Sequence, residues 1–397
     1  MKKAFDTAAL GFAGLCLGLA ASALPAAAGS RLDMSKTQLA LLLGAGLWTR
    51  ALSAGFTGAL VDRFGGRRAL RDAALGATVT GLGLGLLFLS GREGALFIGG
   101  AVLHALLSYF SAFAGPVAAR LNAARLAPAE RGRHAGLYGA LAFPAEFLAL
   151  PAGLWLGQRL PGSALAFLPA AAALLALAAA RRTPNDASAD GPHPGLAELP
   201  AFARRGDVLA LSALEACAGA VRWGLIGWSA QFLHEVHNIR AGGTLFAASL
   251  AAAAAGAAIG PPLCGMLTDK VFAGRRSPAL LAAFAAQAAA LAALGRVADA
   301  GQAVACLGAA CAATFGVHAL LSGAAAMDAG GKGSAGTVSG LLDGFHYAAG
   351  GLSVLLVGTL IDRGGWAAWT TATIPFSLAG AGAALLLLKT EARDPAP

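Results

Sequence analysis

Residues 58–68 read GALVDRFGGRR, and residues 265–276 read GMLTDKVFAGRR. Each stretch places a glycine four residues before an aspartate, follows the aspartate with a basic residue, and closes on two arginines. Gly58 and Asp62 map onto Gly265 and Asp269 at one shared offset of 207 residues in a chain of 397. Such charged knots stand out because charged residues make up only 12% of the chain and hydrophobic residues 57%. Both sit between long apolar runs, so the nature of those runs decides the fold.

The runs hold more apolar surface than a soluble core of this size can hide, with a mean hydropathy of +0.67, so the solvent they require is a lipid bilayer. A spanning helix needs about 20 apolar residues. The chain divides into twelve such windows: 5–28, 37–60, 73–90, 94–118, 134–158, 164–180, 207–233, 243–268, 279–297, 302–326, 336–361 and 367–388. With the N-terminus placed inside, twenty Lys and Arg fall on cytoplasmic segments, seven on outer loops, and two of the 29 inside helices. That asymmetry predicts both termini in the cytoplasm of a bacterial-type inner membrane. It also assigns the net charge of +9 to topology and not to nucleic acid. The first thirty residues have the dibasic start, apolar middle and small-residue end of a secretory signal. They also have a counterpart opening the second half, so they are read as the first span. All five cysteines lie in apolar windows without metal-like or disulfide-like spacing.

A second pair of stretches repeats nearly in phase: GLWLGQR from Gly153 and GTLIDRG from Gly358, offset by 205. The expected organisation is therefore an N-terminal six-helix bundle (residues 1–180), a cytoplasmic linker (181–206) and a C-terminal six-helix bundle (207–397). Each knot follows an even-numbered span and occupies a short turn. Gly58 and Gly265 allow neighbouring helices to approach, and Asp62 and Asp269 can face the positive end of a helix. Arg63, Arg67, Arg68, Lys270, Arg275 and Arg276 hold the turn at the membrane surface.

Few ionisable residues lie inside the spans, where a charge costs roughly 2.5–3.5 kcal/mol and faces a cavity or a partner. Arg222 and Arg50 fall near mid-depth of the seventh and second spans. A guanidinium there is either an anion clamp or a helix lock paired with Glu146 or Glu215. Glu146 reads as a proton-exchanging carboxylate or a counter-ion, and Glu215, two turns before Arg222, as a counter-ion first. Asp343 and His346 stand three residues apart in the eleventh span, as a proton relay, a substrate contact or a self-satisfied pair. His104 and His318 look isolated. Among Trp48, Trp223, Trp228 and Tyr347, the Trp223 and Tyr347 rings neighbour these charges and are the ones expected at a pocket.

The doubled knot resembles the hallmark of the major facilitator superfamily. That resemblance implies an all-α membrane protein of twelve transmembrane helices in two pseudo-symmetric bundles, which rock about a midplane site. VRWGLIGWSAQFLHEV (221–236), RRTP (181–184) and KGSAGTVSGLLDGFHYAAGG (332–351) are similar to the organophosphate:phosphate antiporter branch. The resemblance implies that Arg222 binds the substrate's phosphate. Leu17 stands where that branch has a first-span arginine, and Ala142 near where its glycerol-phosphate carriers have a histidine. Arg50 would supply the missing charge.

DAGGKGSAG (328–336) is no phosphate-binding loop, since Lys332 is followed by glycine and no strand precedes it. With no metal cluster, cofactor motif or nucleophile elbow in the sequence, the expectation is a monomeric carrier and not an enzyme. It would move a small organic anion, a phosphate ester among the candidates, by phosphate antiport or with protons. Arg222, Arg50, Tyr347, Trp223 and His346 would contact substrate, and Glu146, Asp343 and Glu215 would couple it. The rival readings are a proton-driven exporter of lipophilic compounds and a transporter-like ligand sensor.

Overall fold

The computed structural model of the chain describes residues 2–31, 36–90, 93–149, 166–184, 196–240 and 242–393. Among the described residues every regular element is helical. The helices are α1 (Lys2–Arg31), α2 (Lys36–Phe64), α3 (Gly66–Leu89), α4 (Glu93–Ser111), α5 (Ala114–Ala123), α6 (Pro128–Ala142) and α7 (Leu168–Ala180). The short α8 (Leu199–Ala203) leads to α9 (Gly206–His237), α10 (Thr244–Met266), α11 (Ser277–Leu294), α12 (Ala300–His318), α13 (Ala326–Gly364) and α14 (Ala367–Arg393).

These elements make twelve passes among the described residues. α4 and α5 form one pass interrupted at Ala112 and Phe113, and α6 continues helically over residues 145–149. α12 runs through a π turn (Ala319–Ala325) into α13. The unbroken apolar segment of 65 residues, Ala300–Gly364, would extend about 100 Å as one straight helix, against a hydrocarbon core of about 30 Å. It reverses instead at Gly331, where φ is 58° and only glycine is unstrained. The expected loop between the second and third spans shrinks to Gly65, φ 89°. The stretch GLWLGQR and residues 185–195 of the linker lie outside the described residues, so the second repeat pair has no structural counterpart to compare.

Small residues set how closely the two bundles meet, because van der Waals packing drives helix association in lipid. Along α2 and α13, Ala54 and Gly58 lie against Gly340 and Gly336 so tightly that a Cβ on Gly58 would collide with the Gly336 carbonyl. Along α6 and α10, Gly265 meets Gly132, and a Cβ on Gly136 would sit 2.6 Å from the Pro261 carbonyl oxygen. Both approaches occur near the knots. Farther along, a Cβ on Gly351 would meet Trp48 only at ordinary contact distance, 3.4 Å.

The knots close these approaches with hydrogen bonds across the bundles. Asp62, 1% exposed, accepts from the Gly336 N–H (3.1 Å), the Thr337 N–H (2.6 Å) and the Thr337 hydroxyl (2.7 Å). Asp269 accepts from the Gly132 and Arg133 N–H groups at 3.2 and 2.7 Å. Each acid thus sits on amides in the first two turns of a helix of the opposite bundle, at its positive end.

The basic residues are used differently in the two knots. Arg63 lies over the Phe64 ring, Arg67 donates to the Arg181 carbonyl at 2.8 Å, and Arg68 stands 3.6 Å from Asp72, all at the surface. Asp62 takes its positive neighbour from elsewhere: Arg120, 3.8 Å away, which also donates to the Lys332 carbonyl. In the second knot Lys270 and Arg275 are exposed. Arg276 is buried and donates to Asp269 (2.9 Å), Thr268 (2.9 Å), Asp328 (3.0 Å) and the Pro128 carbonyl (2.9 Å). Asp328 reaches back to Arg131 of the first bundle at 2.8 Å. At the same end Lys3 pairs with Glu130 at 2.7 Å, and its ammonium holds that carboxyl below the usual range.

Asp62→Asn leaves a side chain that accepts through one oxygen where the carboxylate used two, and charge-assisted bonds of this kind are worth about 1.5–3 kcal/mol each. The expected result is more frequent opening on the knot side. In a variant whose five native cysteines are replaced by alanine, a probe cysteine at Ala118 should react with maleimide about tenfold faster or more when Asp62→Asn is added. An unchanged rate would mean that the contact does not hold this side closed.

A second close approach positions the interior. On α9, a Cβ at Gly219 would collide with the His346 backbone of α13, and Ser353 ties the same two helices by donating to the Ala220 carbonyl at 2.8 Å. Gly219→Val should destabilise the protein by about 2–3 kcal/mol through overpacking. Gly206→Ala, where a Cβ meets nothing within 4 Å, should leave thermal stability unchanged in the same detergent.

Candidate functional site

Arg222 lies sixteen residues into α9 and Arg50 fourteen into α2, roughly 20–25 Å along each helix. Both border one cavity between the bundles. The first bundle contributes Gly18, Arg50, Tyr138 and Glu146 to its wall, and the second Arg222, His318, Ser322, Asp343 and Tyr347. A narrower pocket beside it, lined by Asn122, Ala135, Gly323 and Met327, continues toward the knots.

Arg222 is 2% exposed, so its charge must be met locally. Glu146, from the opposite bundle, meets it fork on fork: Nε donates to Oε2 at 3.3 Å, and a terminal nitrogen donates to Oε1. The Phe315, Phe143 and Trp223 rings stand 4.5, 5.3 and 5.8 Å from the guanidinium carbon, a cation–π enclosure that adds attraction without adding charge. The other terminal nitrogen faces His346 Nε2 at 3.4 Å. Because guanidinium only donates, that imidazole nitrogen carries no proton.

Behind Arg222 the contacts continue as a chain. His346 Nδ1 lies 3.5 Å from Glu215 Oε2, and Glu215 Oε1 pairs with His318 Nδ1 at 2.6 Å. The two imidazole rings are 4.4 Å apart. His318, which the sequence presents as isolated, is therefore the partner of Glu215, and Glu215 neutralises no arginine directly. Glu215 and His346 are fully buried and support Arg222 from behind the cavity wall. The same three residues converge closely enough for a cation, but the 2.6 Å bond already occupies two of the ligand atoms.

Asp343 and His346 do not form the expected pair. One turn of α13 directs His346 at Arg222, while Asp343 borders the cavity beside Ser322. On the far wall Arg50 donates to the Tyr347 hydroxyl at 3.1 Å and lies 5.2 Å from that ring's centre. Trp223 stacks near Tyr347 at 5.9 Å but packs its ring against Gly350 and does not line the cavity. Trp48 is partly exposed beside Gly351, and Trp228 donates to the Val354 carbonyl at 3.2 Å, both away from the site.

Sequence reasoning missed Arg120, Arg131, Asp328 and His318. Arg120 and Arg131 lie in inner segments where arginine is expected from topology alone. Asp328 falls between the expected tenth and eleventh spans, where an acid can face water and calls for no partner.

Similarity to known proteins agrees with this architecture. The crystal structure of the human organic anion transporter MFSD10 (TETRAN) superposes with a TM-score of 0.75 at 18% identity, covering 96% of this chain and 99% of that one. At that identity the likeness shows the fold alone. No curated protein matches the chain significantly. The Major Facilitator Superfamily profile matches residues 7–354. The chain belongs to the major facilitator superfamily: it is an integral membrane transporter of twelve helices that handles small molecules, and not an enzyme.

Proposed function

We propose that the protein is a secondary carrier of a small organic anion, with Arg222 and Arg50 as the groups that bind it. One observation carries the reading: two guanidiniums, one from each bundle, border a single cavity at mid-depth. Guanidinium stays charged in almost any environment and presents a fork matched to carboxylate, sulfonate or phosphate oxygens. Tyr347 joins Arg50 to the second bundle and offers a hydroxyl beside the anion. Resemblance to the organophosphate:phosphate antiporters makes a phosphate ester one candidate, and the printed description of MFSD10 as an organic anion transporter supports the broader class.

In this reading Asp62 and Asp269 with their knots govern rocking, and the structure corresponds to the state closed on the knot side. Placing the knots and both termini in the cytoplasm of a bacterial-type inner membrane follows the distribution of Lys and Arg. The driving force is a gradient of protons or of a counter-anion, and the working unit is the monomer, with residues 1–180 and 207–397 as the moving bodies.

Proteoliposomes test the assignment. Counterflow of labelled glycerol 3-phosphate, benzoate and benzenesulfonate should reveal at least one transported anion. For it, Arg222→Lys should lower the initial rate about 30-fold or more, because one ammonium cannot replace the fork and the loss is about 2–3 kcal/mol. Membrane insertion should be unchanged. Full transport by the Arg222→Lys protein would remove this residue from the binding site.

A further inference from the structure

The ligand that Arg222 holds is a carboxylate of the protein itself. Glu146 comes from the first bundle and Arg222 from the second, and their fork-on-fork contact spans the cavity. An external anion cannot use Arg222 while Glu146 occupies it. Resting on the anion-carrier reading, we infer that the carried anion is a carboxylate that takes the place of Glu146 on Arg222, and that Glu146 leaves as the neutral acid. Each anion would thus enter with one proton.

The charges around the site require the proton. Glu146 and Asp343 border the cavity with Arg222 and Arg50, so two carboxylates already balance two guanidiniums before any ligand arrives, while Glu215 stands behind His318. His346 adds no compensating charge in its observed contact. His346 presents a bare nitrogen to Arg222, and His318 satisfies Glu215 through Nδ1. The remaining titratable neighbours are the phenols of Tyr138 and Tyr347, the Cys311 thiol on α12 and the His104 imidazole on α4.

An anion on Arg222 would leave that set, fully ionised, one negative charge in excess, inside a poorly screened cavity. Protonating Glu146 keeps the total charge constant. The ion pair with Arg222 breaks, the anion's carboxylate forms the replacement pair, and a proton from the solvent that admits the anion joins the freed Glu146 oxygen. Glu146 is the group placed for this exchange, since it borders the cavity and its carboxylate is 12% exposed. Glu215 is sealed behind His318. A carboxylate fits the vacated fork because a carboxylate already fills it.

Isothermal titration of the purified full-length protein with benzoate at pH 7, in phosphate and in Tris buffers, reads the coupling directly. The different ionisation enthalpies of the buffers should reveal uptake of about one proton per benzoate, and affinity should fall by about tenfold per pH unit as pH rises. Glu146→Gln should bind benzoate at least tenfold more tightly with uptake near zero, while Glu215→Gln should still take up the proton. Benzoate binding with no proton uptake by the unaltered protein would overturn the inference without requiring any variant to fold. So would uptake that survives Glu146→Gln, or binding of phenyl phosphate with none of benzoate; in each case the anion-carrier reading would still stand. Absence of binding by benzoate, phenyl phosphate and benzenesulfonate alike would instead remove the anion-carrier reading itself, and this inference with it.

Discussion

A guanidinium buried at mid-depth in a bilayer protein must always be paired, because it does not deprotonate and desolvation leaves its charge unscreened. Arg222 imposes that condition on everything around it. Glu146 is drawn from the other bundle, three aromatic rings enclose the charge, and His346 is held in a neutral form. Glu215 and His318 in turn fix His346 from behind. Since one partner belongs to each bundle, the pairing also decides how close the bundles lie at the level of the cavity.

The knots solve a related problem at the membrane surface. Helices that approach backbone to backbone bring amides of one bundle near the other, and a carboxylate at the join converts those amides into an inter-bundle bond. Asp62 and Asp269 do this in equivalent ways, yet their cationic support differs. Arg276 folds onto its own aspartate and also onto Asp328, whereas Asp62 borrows Arg120. The pseudo-symmetry therefore holds for the acid and the glycine, whose roles are geometric. It lapses for the bases, whose charge can be delivered from any nearby helix.

This difference also explains what the sequence made legible. Glycine and aspartate at a fixed spacing serve local backbone geometry, so the repeat at Gly58 and Gly265 exposed the architecture, and the apolar windows gave the spans. Arg222 and Arg50 were visible because arginine in a span is rare. Glu146, 76 residues away, was one of two candidate partners for Arg222, but which acid pairs depends on which helices become neighbours, and His318, 103 residues from Glu215, gave no sign of its partner. Asp343 and His346 misled for the opposite reason. Their spacing permits a local contact, but His346 turns to Arg222 and Glu215 of α9 while Asp343 borders the cavity. Gly331 was read as part of a loop, while the structure makes it a reversal inside an otherwise continuous helical segment.

α13 joins the two systems. Its first turns after Gly331 hold Asp62 through Gly336 and Thr337, and two to three turns later Asp343, His346 and Tyr347 reach the site. Gly219 brings the same helix against α9 beside Arg222. A helix of this length transmits displacement rigidly, so releasing the amides from Asp62 must move Tyr347 relative to Arg50, with which it shares a 3.1 Å bond across the bundles. Conversely, a ligand that changes how Arg50 and Arg222 are paired alters the load on the end that Asp62 grips. In the proposed carrier, binding and opening would be linked through one helix that both bundles hold.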